Sequence, residues 1–477
     1  MESNDVHNNP EVVVVMVPFP AQGHLNQLLH FSHIITSYGI PVHYVGSGPH
    51  NHQAKLRLHG WSSQQSNQIH FHDFQLLDYK TILPPKPDPS IHWPVHFQPL
   101  FHATVHLRQP IAKLLHQLSV SFKRVVVVHD SLMTTVVEDV KSIPNAESYV
   151  FIPTSAFTTL LGYLGNSPAK LFQLDPDLPR NIPSEEGCVP TEIAEFITNQ
   201  YQSLGTESGR LYNTSRVIEG RFLELLEKIS KNSELKNYAI GPLNPGVGQA
   251  QTRSNGETER HRCLRWLDEQ EKASVLYVAF GSTTSLSREQ TNELARGLES
   301  SGHKFIWVLR KADEIDGFTQ DEEEVPDGFE ERVMGTGMVV REWAPQLEIL
   351  AHPATGGFMS HCGWNSCMES ISMGVPLAAW PMHSEQPKNS YLVSQVLRIG
   401  IVVREWEKRD ELVTSSTIEN AVKMLMASKE GKEMKDRVAE LSYALGGSSM
   451  SDAAALNRLE IDTFISHITR TVIGKLG

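Results

Sequence analysis

His24, Asp130 and the segment from Trp343 to Gln386 are the parts of this chain whose residue types and spacing can do chemistry. His24 follows Gly23 in the stretch AQGHLNQ, directly after an apolar run. An imidazole titrates near neutrality and can take a proton from a hydroxyl. Asp130 closes the run VVVVHD, and a carboxylate behind four valines must be hydrogen-bonded or near solvent. It can accept the other ring N–H of His24, set its tautomer and stabilise the imidazolium, as the acid of a hydrolase triad does. Blander readings stand beside these. The chain has 22 histidines, so one in a loop is unremarkable, and Asp130 suits a helix N-cap. His129 is an adjacent rival that strand alternation sends to the opposite face.

The long segment, WAPQLEILAHPATGGFMSHCGWNSCMESISMGVPLAAWPMHSEQ, suits a sugar nucleotide. The Trp343 indole offers a face for a planar base. The turn FMSHCGWNSCMES leads from a strand into a helix. Its N–H groups, with His361, Asn365 and Ser366, would cradle a diphosphate. The turn at Gly281 and Ser282 adds donors. Glu369 offers a carboxylate to a ribose, and Glu385 with Gln386 offers an acceptor and a mixed donor–acceptor to sugar hydroxyls. The competing reading of Ser366 and Glu369 is a capping box, S-x-x-E, with no ligand.

These groups need a scaffold that presents them at strand ends. EVVVVMVPF (11–19) reads as a buried parallel strand, followed by a turn at AQGHLNQ and a helix over LLHFSHIITSYG. IPVHYVGS, KRVVVVHDS and ESYVFIPTS continue a βαβ rhythm, which places His24, Asp130 and Thr154 at a ligand-facing edge. The rhythm restarts with SVLYVAFGS, KFIWVLR, GMVVREW, GGFMS and VPLAAWP. Between the halves, residues 244–260 are Gly-rich, polar and without apolar period, hence a linker. Residues 76–98 and 311–328 read as exposed loops.

Composition bounds the rest. At 477 residues the chain is too long for one core. A formal charge of −13 argues against a nucleic-acid binder or an anionic-membrane binder. Four cysteines make no disulfide framework, and no signal core or membrane span is evident, so a cytoplasmic protein is expected. Asn213-Thr214-Ser215 fits a glycosylation sequon by composition alone.

Taken together, these stretches resemble the plant UDP-sugar-dependent glycosyltransferases. Trp343–Gln386 matches their signature box at full length, and PFPAQGHLNQ, LYNTSRVIEG and RCLRWLDEQEKASVLYVAFGS extend the likeness over the chain. The resemblance implies an α/β fold of GT-B type, two Rossmann-like domains facing across a cleft. The expected divisions are an acceptor-binding domain over 1–244, a linker over 245–260 and a UDP-sugar domain over 261–455. A helix over 456–477 is expected to return to the first domain. It also implies roles. Trp343 resembles the uracil-stacking residue, with the Ala344 backbone on the base edge. Gln346 and Glu369 resemble the ribose contacts. His361, Asn365, Ser366 and Ser282 resemble the diphosphate contacts, and Trp364, Glu385 and Gln386 the sugar contacts. Trp364 and a final glutamine go with glucose in the family, so UDP-glucose is the expected donor.

His24 matches the family's general base and Asp130 its partner, with inversion at the anomeric carbon. No metal or other cofactor is expected, since no acidic pair is placed beside these groups for one. The expected partners are UDP-glucose and a small-molecule acceptor, the expected state a monomer. VVMVPFPAQGHLNQLLHFSHIITSYGIPVHYVGS and MHSEQPKN bring the chain nearest the zeatin O-glucosyltransferase group, which glucosylates a cytokinin side-chain hydroxyl; flavonoids, terpenoids and existing glucosides are the alternative acceptors. Gln27 departs from the family, standing where many members have proline, and Thr154 differs from the zeatin enzymes. Two other classes compete. A nicotinamide dehydrogenase would need a GxGxxG after the first strand, where this chain has PFPAQGH. A dead sugar-nucleotide sensor would lack His24 or Asp130.

Overall fold

A computed structural model describes residues 11–55, 68–76, 93–94, 97–230, 235–244, 260–281, 286–309, 324–446 and 452–470. Of the expected linker over 245–260, all but residue 260 lies outside these, as do most of the proline-rich stretch 76–98 and residues 310–323.

The β-branched runs fold as all-parallel strands covered on both faces, the arrangement that lets an unbroken apolar run be buried. The first sheet comprises β1 (Val12–Val17), β2 (Val42–Ser47), β3 (Ile69–Phe74), β4 (Arg124–Asp130), β5 (Ala146–Ile152), β6 (Gly209–Tyr212) and β7 (Lys236–Ala239), in the order β3-β2-β1-β4-β5-β6-β7. Every residue of β1 and β4 is buried. Each large apolar side chain removed from water there contributes about 1.5–3 kcal/mol. The second sheet comprises β8 (Val275–Ala279), β9 (Lys304–Val308), β10 (Gly337–Val340), β11 (Thr355–Ser360), β12 (Leu377–Ala379) and β13 (Gly400–Val402), in the order β10-β9-β8-β11-β12-β13.

Both orders reverse direction once, between β1 and β4 and between β8 and β11. At such a switch point the crossovers leave on opposite sides and a crevice opens beyond the strand C-termini. The candidate residues cluster there. His24 follows β1 and Asp130 ends β4; Gly281 follows β8 and His361 follows β11.

Five helices matter below: α1 (Gln22–Ser37), α2 (Ala156–Tyr163), α3 (Trp364–Ser372), α4 (Gln386–Tyr391) and α5 (Asp452–Ile468). α1 begins earlier than the sequence reading has it. AQGHLNQ supplies the extended N-cap, Ala21, and the first six helical residues, with Gly23 tolerated near the N-terminal end. α5 lies against the first sheet although it comes last in the chain. Phe464 is fully buried against Tyr149 (ring centroids 5.1 Å apart) and Tyr238 (5.4 Å), and Arg216 Nε is 2.5 Å from Glu460 Oε1.

Candidate active site

The register of β1 on β4, with Val17 opposite His129, carries Asp130 alongside the start of α1. There His24 Nδ1 lies 2.7 Å from Asp130 Oδ2. Asp130 is fully buried, and its other oxygen accepts from Leu132 N at 2.9 Å, capping the short helix that follows. Asp130 therefore faces His24 with one carboxylate oxygen and caps the helix with the other. With Nδ1 held by a carboxylate, the ring proton resides on Nδ1 and Nε2 is left as the acceptor. The ring is edge-on to Phe19, centroids 5.2 Å apart, and Phe19 leads into an aromatic group with Phe101 at 4.6 Å. His129 is buried on the other side of the strand, its Nδ1 3.0 Å from the Asp130 carbonyl.

Burial alone would lower the His24 pKa, but the Asp130 charge and hydrogen bond, joined by the Glu385 charge, raise it above the ordinary histidine value. Glu385 belongs to the second sheet's half of the chain, so the two halves share one electrostatic environment. Burial raises the Glu385 pKa in turn, opposed in part by His24 and by the backbone N–H of Trp364, which it accepts at the start of α3. An anionic side chain there is favoured by the helix dipole.

The nucleotide candidates gather around α3. Trp343 is 48% exposed for an indole, edge-on to His261 at 6.4 Å, and Ala344 is buried beside it. Gln346 Nε2 donates to Glu369 Oε2 at 2.7 Å and to Ser366 Oγ at 3.1 Å, so those three residues form one polar group. No capping box exists: the N-cap of α3 is Gly363, and Ser366 lies inside the helix. Burial raises the Glu369 pKa to about 7. His361 is pressed between two glycines; a Cβ on Gly281, at φ +84°, would stand 2.8 Å from its Nε2, and one on Gly363 2.5 Å. Burial lowers its pKa to about 4, which keeps the ring neutral at physiological pH. Its Nδ1 is buried with no hydrogen-bond partner among the described residues. Gln386 is buried, its Oε1 accepting from Met382 N (2.9 Å) and His383 N (3.1 Å), which turns its NH2 outward from that loop. Ser282 lies outside the described residues.

Two predicted ligand contacts also reach across to the other half. The Trp364 ring is 2% exposed, and its Nε1 donates to the Asn213 carbonyl at 2.8 Å, so its N–H is committed at the junction of the two halves. Asn365 Nδ2 donates to the Gly23 carbonyl at 2.8 Å, and its Oδ1 accepts from Gln27 Nε2. Asn213, the sequon residue, is itself buried and bonded.

Sequence reading takes Asn213 only as a sequon and gives no sign of Asn389 or of the partnership of Gln27. Asn389, on α4, bonds Ser155 Oγ at 3.0 Å across the junction and the Cys362 carbonyl at 2.9 Å. Nearby, Lys388 pairs with Glu185 and Tyr391 donates to the Pro179 carbonyl at 2.6 Å. Thr154, between β5 and α2, is 3.4 Å from Thr159 Oγ1 and is half-buried. Correct placement of the α1 start would have flagged Gln27, since residues three apart share a helix face.

Residues 10–245 match the family described as glycosyltransferase, N-terminal domain, and residues 258–444 that described as UDP-glucoronosyl and UDP-glucosyl transferase. The chain is 48% identical to a zeatin O-glucosyltransferase of Phaseolus lunatus over 98% of its own length and all of the relative's. It is 47% identical to a zeatin O-xylosyltransferase of Phaseolus vulgaris over the same shares. Among solved structures, that of Phytolacca americana UGT2 complexed with UDP-2fluoro-glucose and pterostilbene superposes with a TM-score of 0.72 at 26% identity, covering 95% of this chain and 99% of that one.

Proposed function

We propose that this chain, which belongs to the UDP-glucuronosyl and UDP-glucosyl transferase family, transfers glucose from UDP-glucose to the hydroxyl of a zeatin-type cytokinin with inversion at the anomeric carbon. The family fixes the coarser statement: it is an enzyme of the GT-B fold that moves a glycosyl group from a UDP-sugar to a small metabolite. The residue roles and the choices of glucose and zeatin are our reading.

In this reading the acceptor oxygen binds at Nε2 of His24. It attacks the anomeric carbon as its proton passes to Nε2 and the bond from that carbon to UDP breaks on the opposite face. An α-linked donor thus gives a β-glucoside. The imidazolium formed is stabilised by Asp130. The charge leaving on UDP is received by N–H groups at the start of α3 and by neutral His361. Trp343 would stack on uracil, with the Ala344 backbone on its edge; Gln346 and Glu369 would hold the ribose, and Asn365 and Ser366 the diphosphate. Glu385, Gln386 and the backbone of Trp364 border the sugar position. One chain supplies all of these, which supports a monomer. The described cysteines are unpaired, which supports a reducing, cytosolic setting, and no helix among the described residues is long and apolar enough to cross a membrane.

The observation that carries the reading is the meeting of the two halves. The turn bearing His361 and Asn365 bonds the carbonyl next to His24, and Glu385 acts on the His24 ring. The test is incubation of purified protein and UDP-glucose with trans-zeatin, cis-zeatin, flavonoids, terpenoids and their glucosides, read by mass. A gain of one hexose on a zeatin is expected. Transfer only to another acceptor class would overturn the cytokinin assignment, and no transfer to any acceptor would overturn the enzyme's proposed reaction. The Phaseolus vulgaris relative makes UDP-xylose the second donor to include.

The exposed ring of Trp343 gives a separate expectation. Trp343→Ala should weaken UDP binding about fivefold to tenfold, the loss of one aromatic stacking contact. Calorimetric titration of UDP reads it, and unchanged affinity would remove Trp343 from the base site.

A further inference from the structure

We infer that Gln27 is a positioning residue for glycosyl transfer, holding the general base and the diphosphate turn at a set separation through one oriented chain of amides. The inference rests on the reaction proposed above and adds to it a residue that no ligand contact would reveal.

The chain runs as follows. Leu243 N donates to Asn213 Oδ1 at 2.9 Å, and Asn213 Nδ2 donates to Gln27 Oε1 at 3.1 Å. Gln27 Nε2 donates to Asn365 Oδ1, and Asn365 Nδ2 donates to the Gly23 carbonyl at 2.8 Å. A backbone N–H can only donate and a backbone carbonyl can only accept. The two ends therefore fix the orientation of all three side-chain amides, and none can turn over without opposing like groups. Gln27 is 4% exposed and Asn213 2%, so a broken link would leave buried polar atoms without water to replace their partners.

The placement gives the chain a use. Gly23 precedes His24, and Gln27 lies one helical turn after it on the same face of α1. The single Asn365 carboxamide thus grips α1 on both sides of the imidazole. Asn365 itself stands in the first turn of α3, beside His361 and the N–H groups facing the leaving group. A second link runs in parallel, from Trp364 Nε1 to the Asn213 carbonyl. The distance from His24 Nε2 to the anomeric carbon of a bound donor is consequently set by residues on both sides of the gap, with Gln27 at the middle.

Gln27→Leu removes both bonds at similar volume. Turnover should fall about 10- to 100-fold, the effect of a misplacement near 1 Å, while KM for UDP-glucose stays within about threefold because no nucleotide contact is deleted. Hydrogen–deuterium exchange should speed up in two places at once, residues 22–28 of α1 and residues 361–368 of the other half. Gln27→Glu keeps the shape and the acceptor for Asn213 but sets an oxygen against Asn365 Oδ1, which Gly23 prevents from turning. It should lose turnover comparably, and it carries the test if the leucine variant melts. Turnover within about twofold of the parent in both variants, or faster exchange confined to α1, would overturn the inference. If the unaltered protein transfers no sugar, the reaction proposed above fails, and the two-site exchange result still decides whether Gln27 couples the halves.

Discussion

Replacement of His24 by alanine is expected to lower turnover about 10²–10⁴-fold, the usual contribution of a positioned general base. The loss should appear in kcat. No donor contact is removed, so KM for UDP-glucose and the affinity for UDP should stay within about twofold. Near-normal turnover in His24→Ala would exclude His24 as the base. The intact enzyme offers a matching pH signature. The His24 pKa is raised: burial pulls it down, but the charge and hydrogen bond of Asp130 and the charge of Glu385 outweigh that pull. The ring accepts a proton only when neutral, so kcat/KM should fall as pH drops through the raised value. The midpoint of this acid limb should lie above the unperturbed histidine value of about 6.5. A midpoint below it would mean that another group controls the limb.

The Asp130→Asn variant should be nearly as impaired, by about 10³–10⁴-fold, because it reverses the tautomer rather than removing the base. Leu132 N must still be capped. That requirement places the asparagine carbonyl oxygen toward Leu132 and leaves its NH2 toward His24 Nδ1. Nδ1 must then accept, the ring proton moves to Nε2, and the nitrogen facing the acceptor hydroxyl can no longer take its proton. Burial, now unopposed by the carboxylate, also lowers the imidazole pKa. UDP binding by calorimetry should be unchanged, which separates this loss from misfolding. Retention of a tenth or more of the activity would show that Asp130 serves the fold as a cap and little else.

The long buried strands were legible because an unbroken β-branched run has few other uses. VVVVMV and VVVVHD became β1 and β4, neighbours in register with all side chains covered. GRLY, KNYA and GIV became β6, β7 and β13 without notice, since three or four residues show no period and depend on the sheet already formed. The sequence pattern starts α1 too late because Gly23 looks like a turn residue. It is tolerated one position inside the helix, where few intrahelical bonds are at stake. The pairing of His24 with Asp130 followed from two strand ends at one switch point. The pairing of Gln27 with Asn365 could not be read, because the two lie 338 positions apart on different sheets' helices and no periodicity links them. The Ser366–Glu369 spacing suggested a capping box, but Gly363 caps the helix and Gln346 joins the two side chains instead.

The account depends on an imidazole from one sheet and a nucleotide cradle from the other acting on a single substrate pair. A crystal structure with a non-transferable 2-fluoro UDP-glucose and an acceptor tests this directly. The acceptor oxygen should lie within hydrogen-bond reach of His24 Nε2 and about 3–3.5 Å from the anomeric carbon, on the face opposite UDP, with the diphosphate at His361 and the start of α3. UDP seated away from that turn, or an anomeric carbon turned from His24 with the halves closed, would contradict it.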